Sequence, residues 1–295
     1  MRLEDVADTI LISHIGGDSE LVKQIQFLLT TYGYLDPPVD GKFGPVSNWA
    51  LAEFAYRKGL SIGLGLTPQL AKALLDTKHE TLPALAKSGE WLDKVIGYMV
   101  SKEYWICRHP EAMNIVYLEG VNPDGKLNDN KPNQFNDLRV VFSISATGAP
   151  MFTVWEGTTE PGLFWTMNPM SPKGAARIAF NQYKSWSVGT HHPGKASAHE
   201  ALVQVEPILV YRDLNKDFKR QGDQTEFGLF AINQHWGYNA PKDDLGQTSA
   251  GCLVGRTKAG HLEFMSMIKA DPRYLANATY RFITTIIPGK GVLGS

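Results

Sequence analysis

His235 and Cys252 stand 17 residues apart, and the cysteine closes the run Ser249-Ala250-Gly251-Cys252. A cysteine attacks as the thiolate, and an imidazole nearby can take its proton or hold it as an ion pair. Gly251 lets the backbone approach a substrate closely, so the amides around Gly251 and Cys252 are candidate donors to a developing oxyanion. Nucleophile, base and oxyanion donor are the parts that cysteine acyl transfer needs. Only one other cysteine occurs, Cys107, and neither lies in a C-x-x-C pair, so no metal or redox centre is expected from them. A bond between the two cysteines remains open.

These residues need a scaffold, and short β-type runs supply one. From about residue 114 such runs cover 115–117, 138–144, 151–155, 201–205, 208–211 and 228–233, separated by Asn-, Gly- and Pro-rich turns. The last of them is expected to deliver His235. A helix around 261–268 and a strand over 280–287 close this part of the chain. The N-terminal part reads differently. Ser19 is a candidate N-cap for an apolar stripe through Leu21, Val22, Ile25, Leu28 and Leu29. Trp49, Ala50, Phe54 and Ala55 repeat at helical spacing up to Gly59, and Thr67-Pro68 opens a third helix. A further helical face lies within 80–105. The expected fold class is therefore α+β. It comprises a small three-helix module over 1–78, a helical connector over 79–109 and a mainly β catalytic domain over 110–295.

Two resemblances attach to these segments. The run from Asp40-Gly41-Lys42-Phe43-Gly44 through Phe54 is similar to the three-helix peptidoglycan-binding module, over about residues 16–78. That resemblance implies that Asp40, Gly41, Phe43 and Gly44 form its binding turn and that peptidoglycan is the partner. Ala55 and Ser47 replace the family's usual glutamine and threonine. The stretch 232–256 resembles the catalytic segment of the L,D-transpeptidase, or YkuD-like, family, whose domain is β-sandwich or barrel-like. The resemblance implies Cys252 as nucleophile, His235 as base, Gly251 as oxyanion donor and Ser249 as the residue shaping the cysteine turn. Trp236 intervenes before Gly237, and Val254 occupies the place of the family's arginine, so either Arg256 serves from a shifted position or the substrate-carboxylate contacts differ. Trp236, Tyr238, Arg256 and His192 are the candidate substrate contacts. The wider surroundings look like bacterial and phage wall proteins that join these two parts.

Rival chemistries leave weaker traces. Residues 189–200 faintly match the Ser-x-His-x-x-Gly-x-Ala-x-Asp pattern of zinc D,D-peptidase-like lysins, but Gly189 and Ala198 replace the serine and the ligand aspartate. No metal or other cofactor is expected, and His192 or His199 is instead a candidate substrate contact in a polar loop. Residues 213–217 begin like a calcium loop, yet Phe218 takes the glycine position, so a hairpin turn is expected. The aromatic group Trp155, Phe164, Trp165, Tyr183 and Trp186 could line a groove but is better read as packing.

Net charge is -1 and no dense basic run occurs, which removes the electrostatic footprint of a nucleic-acid binder. No apolar run is long enough to span a membrane. The N-terminus lacks the pattern of a secretory signal, so the expectation is a chain made in the cytoplasm that reaches the wall by release or another delivery system. On that ground the expected activity is hydrolysis of peptidoglycan stem peptides through a thioester. The alternatives are cross-link formation, zinc peptidase action and a wall-binding protein without catalysis.

Overall fold

The computed structural model describes residues 1–78 and 82–294. The expected boundary between 78 and 79 falls at residues outside that description, as does the final residue. A short α1 (Ile12–Ile15) precedes the three main N-terminal helices α2 (Ser19–Thr31), α3 (Pro45–Arg57) and α4 (Pro68–Asp76), and β1 (Ile10–Leu11) pairs with β2 (Gly65–Leu66) to tie the ends together. Leu21, Val22, Ile25 and Leu29 bury one face of α2 against Leu51, Phe54 and Leu74. Asp18, not Ser19, caps α2: its Oδ1 accepts the amides of Glu20 and Leu21, both at 3.1 Å. The cap lies one residue earlier than expected because Asp18 is the last extended residue and Ser19 is already helical. Thr67 capping α4, with Pro68 at its first position, matches the expectation, while α3 starts at Pro45, which the apolar spacing did not mark.

After α5 (Leu92–Ser101) the chain becomes mainly strand. It runs through β3 (Asn114–Glu119), β4 (Asp137–Ile144), β5 (Pro150–Thr158), the short α6 (Leu163–Met167), β6 (Ala175–Ile178), β7 (Asn181–His191), β8 (His199–Gln204), β9 (Ile208–Asp213) and β10 (Gln224–Gly228). Next come β11 (Gln234–Trp236), β12 (Leu253–Gly255), α7 (Lys258–Lys269), α8 (Pro272–Ala276), β13 (Phe282–Pro288) and α9 (Gly289–Leu293). A closed barrel forms in the order β11-β12-β5-β4-β3-β13-β7-β8, while β10, β9 and β6 make a separate three-stranded sheet. The pairs β11–β12 and β13–β3 are parallel, and the rest of the barrel is antiparallel.

Period-two alternation explains the near-continuous apolar runs of β3 and β4, because both faces are covered. Ile115, Tyr117 and Val141 pack with Phe264, Met265 and Ile268 of α7. Val116, Leu118, Leu138, Val140 and Phe142 point the other way, onto Leu92, Val95 and Met99 of α5 and Val292 of α9.

Two expectations shift. The strand anticipated at 228–233 lies earlier, at Gln224–Gly228, and residues 229–233 form an irregular link with Ala231 at φ 55. Of the expected polar loop at 189–200, residues 192–198 form the turn, and the flanking residues belong to the ends of β7 and β8. The hairpin expected after Asp213 is present between β9 and β10.

The helical module is docked on the barrel through a buried ion pair. Asp36 accepts the Lys184 ammonium at 2.5 Å and the Tyr280 hydroxyl at 3.1 Å, with Arg273 at 3.7 Å. Burial alone would raise the Asp36 carboxyl, but Lys184 and Arg273 hold it below its ordinary value.

Candidate functional site

The site grows from the parallel pair β11–β12, where Gln234, His235 and Trp236 register with Leu253, Val254 and Gly255. Arg139, fully buried on β4, braces this pair from behind. Its guanidinium donates to the carbonyls of His235 at 3.0 Å and Leu253 at 3.3 Å and to the Tyr117 hydroxyl at 2.6 Å, and it lies over the Phe264 ring. One side chain therefore grips both strands that carry the candidate chemistry. No sequence motif marked it.

The cysteine turn is built on Ser249. Its buried hydroxyl donates to the Glu160 carbonyl at 2.8 Å, lies 3.0 Å from the Cys252 carbonyl and accepts the Gly251 amide at 3.2 Å. Gly251 has φ +126, and a Cβ there would lie 2.4 Å from the backbone oxygen of Ala176 on β6. Only glycine fits that approach. The Gly251 amide, the anticipated oxyanion donor, is bonded to the Ser249 hydroxyl in this structure. The Cys252 amide has no acceptor among the described residues and is the donor left at that place.

Beneath this turn lies an ionic platform. Glu160 meets Arg177 at 2.6 Å, and Glu119 meets Arg220 at 2.7 Å. Asp137 accepts the amides of Gly120 and Thr159, each at 2.7 Å. Burial, with the charges of Glu119 and Glu160 close by, raises the Asp137 carboxyl well above its ordinary value. These groups are scattered over 100 residues of sequence, so spacing could not reveal them.

Cys252 and His235 line the same cavity, of about 480 Å³, together with His191, His192, Lys195, Arg212, Tyr238 and Trp165. The sulfur's polar contacts are the Ala231 carbonyl, at 3.7 Å, and the Asn233 backbone amide, and no hydrogen bond joins it to the imidazole. Burial pushes the Cys252 thiol up to about 11, with the Asn233 amide acting in the opposite direction. His235 is held well below its ordinary value by burial first and by the neighbouring His191 second. Both groups are thus neutral at rest. His235 Nδ1 lies 2.7 Å from the Trp236 carbonyl, which can only accept, so Nδ1 carries the proton and Nε2 presents a lone pair.

A stack of histidines surrounds the base. His191 lies face to face with His235 at 3.9 Å and with His192 at 3.8 Å, and the Asn233 amide donates to its Nδ1 at 3.0 Å. Burial brings His191 and His261 down to about 3. Parallel rings keep their nitrogens in separate planes. Among the described residues no group of three or more His, Cys, Asp or Glu converges on a point as cation ligands would.

The other candidate contacts divide. Tyr238 and His192 line the cavity, each with positive φ. Trp236 does not line it, because its ring is stacked on His199 at 3.9 Å. Arg256 is also elsewhere, with its Nε paired to Glu156 at 2.7 Å, so it does not replace the missing arginine. Of the aromatic group, Trp165 borders the cavity while Tyr183 and Trp186 are core. Cys107 and Cys252 are both free.

In the helical module the Asp40-Gly41 turn is organised by buried Gln26. Its Nε2 donates to Asp40 Oδ1 at 2.8 Å, the Lys42 carbonyl at 3.0 Å and Ser47 Oγ at 3.2 Å, while its Oε1 accepts the Gly41 amide at 2.8 Å. Phe43 is half-buried against the module's core, and Gly44 caps α3.

Residues 18–62 match the family model described as "Putative peptidoglycan binding domain". The protein thus carries an N-terminal peptidoglycan-binding domain followed by a mainly β barrel domain, α+β overall. No curated protein matches the sequence. Among solved structures, a fused Zn-dependent amidase/peptidase/peptidoglycan-binding domain-containing protein from Clostridium acetobutylicum ATCC 824 aligns at 14% identity, over 92% of this chain and 96% of that one. Its TM-score is 0.28, a superposition too loose to carry an argument. Among the described residues no helix is long and apolar enough to cross a membrane.

Proposed function

We propose that the barrel domain is a cysteine-dependent hydrolase of peptidoglycan stem peptides, working on wall that the helical module holds. The observation that carries this reading is the shared cavity: a lone thiol and a Nδ1-protonated imidazole open onto one space, in a chain whose residues 18–62 match a peptidoglycan-binding family. In the reaction the Cys252 sulfur attacks the peptide carbonyl while its proton passes to His235 Nε2. The oxyanion takes the Cys252 amide. The C–N bond then breaks, His235 returns the proton to the departing amine, and a thioester remains until water cleaves it.

Neutral resting partners suit a step in which the proton moves only once substrate has entered, because an ion pair in this buried place would lose solvation. The thiol must leave the Ala231 carbonyl for that transfer. Exposed residues at the rim, His192 and Lys195 among them, leave the cavity open to the water that hydrolysis needs.

Purified sacculi treated with the protein test the reading. Mass analysis is expected to find cleaved muropeptides, absent with Cys252→Ala and His235→Ala. Intact-protein mass is expected to trap an acyl adduct on Cys252. New cross-linked dimers without cleavage products would replace hydrolysis by transfer, and no change of any kind would leave a binding protein.

A further inference from the structure

The cavity around Cys252 is lined by two permanent cations, Lys195 and Arg212, and by no carboxylate side chain. Lys195 sits in the turn between β7 and β8, and among the described residues its ammonium has neither an ion-pair nor a hydrogen-bond partner. The turn itself is pinned. Ser197 meets His192 Nδ1 through its hydroxyl at 3.2 Å and His199 Nδ1 through its carbonyl at 2.8 Å, and the Ala198 amide donates to the Lys195 carbonyl at 2.9 Å. A free cation therefore stands on a fixed base at the cavity.

Arg212 enters from β9. Its Nε donates to Glu226 at 2.7 Å, its guanidinium covers the Phe230 ring, and its side chain is nearly buried. Glu226 also pairs with Lys173 at 2.7 Å, so one carboxylate is shared between two cations. The group keeps one positive charge in excess, and Lys195 adds a second. Nothing else lining the cavity offsets them, and Arg256, the cation expected to meet substrate carboxylates, is turned away onto Glu156.

We propose that Lys195 and Arg212 form a carboxylate-binding subsite beside Cys252, which makes the cavity select acyl donors that carry a free carboxylate near the bond attacked and disfavour the amidated forms. The substrate statement rests on the peptidase reading, but the charge of the subsite does not. Lys195 makes the mobile, exposed contact, and Arg212 supplies the fixed one, since a guanidinium held by Glu226 keeps its outer nitrogen in place.

Cys252 itself can report the field. The full chain is treated at low salt with iodoacetate, which is anionic, or iodoacetamide, which is neutral, and labelling of the peptide holding Cys252 is followed by mass spectrometry. The ratio of the two rates is expected to exceed that of a small reference thiol by about fivefold, and to shrink in 0.5 M salt. Lys195→Gln, at an exposed position, is expected to remove at least half of the excess, and Lys195→Glu to remove it all. A wild-type ratio equal to that of the reference thiol overturns the subsite, as does a ratio that ignores both Lys195 variants.

Binding of a stem peptide and its amidated form to Cys252→Ala, measured by calorimetry, gives the second arm. The free acid is expected to bind about tenfold more tightly, and equal affinities overturn the selectivity. The two readings fail separately. A raised alkylation ratio without any sacculus cleavage removes the peptidase and keeps the subsite, whereas cleavage with an ordinary ratio does the reverse.

Discussion

Two glycine turns, one in each part of the molecule, solve a similar problem by different means. Gly41 has φ +71 and Gly251 has φ +126, and each turn is tied by a neighbouring polar side chain, Gln26 in one case and Ser249 in the other. What crowds them differs. A Cβ on Gly41 would lie 2.5 Å from the Ser19 hydroxyl, which can rotate away, but one on Gly251 would meet the backbone oxygen of Ala176, which belongs to another sheet. The Gly41 turn is therefore a local structure with some give, and the cysteine turn is wedged by the tertiary fold.

The largest expected effect tests that wedge. Gly251→Ala combines backbone strain with a clash against backbone, and is expected to cost about 4 kcal/mol in chemical denaturation and to abolish Cys252-dependent cleavage. Retention of full stability would mean that β6 can move aside, and the contrast would be lost.

Acidification should separate the two regions next. His191, His199, His235 and His261 all have folded values below the ordinary imidazole value, chiefly through burial, so the unfolded chain binds more protons as pH falls below about 6.5. Their stabilisation is complete above that pH and is lost progressively beneath it. With His261 brought down to about 3, that residue alone is expected to cost about 2 kcal/mol at pH 5, read from denaturation midpoints. Asp40 behaves otherwise. Partial burial would raise it, but the Lys42 amide and Gln26 hold it below its ordinary value, so its contribution persists until pH falls below about 4. Residue-resolved NMR should show the barrel responding first.

Gln26→Ala probes the local turn. Leaving the Asp40-Gly41 backbone without its organiser is expected to cost about 2 kcal/mol and to weaken sedimentation with sacculi, with thiol alkylation at Cys252 unchanged. Gly41→Ala should have the smallest effect, about 1 kcal/mol by thermal melting, because strain in the left-handed region remains while Ser19 yields. A cost equal to that of Gly251→Ala would erase the difference between the turns.

The same contrast governs how much the sequence disclosed. The helices of the module were legible because apolar spacing and the Thr67-Pro68 start of α4 act within a few residues, and the shift from Ser19 to Asp18 is one position. Most barrel strands were legible from their apolar runs. The segment leading to His235 was not, since residues 229–233 have β-type composition but are bent away from pairing at Ala231. Trp236 and Arg256 were reasonable contacts by proximity to His235 and Cys252, yet stacking on His199 and pairing with Glu156 turned them elsewhere.

What the sequence determined by itself was the set of local signals: a glycine turn between two helices, a thiol after a glycine, and an imidazole near it in the chain. Tertiary structure decided which of these share a space and in what state. Arg139 reaches the carbonyls of His235 and Leu253 from 96 and 114 residues away, β6 makes Gly251 obligatory, and Lys195 and Arg212 arrive at the cavity from the β7–β8 turn and from β9. Spacing along a chain constrains neighbours within a turn or two. Burial, charge balance and proton affinity depend on everything packed around a group, and here the closed barrel and the smaller sheet beside it set that environment together.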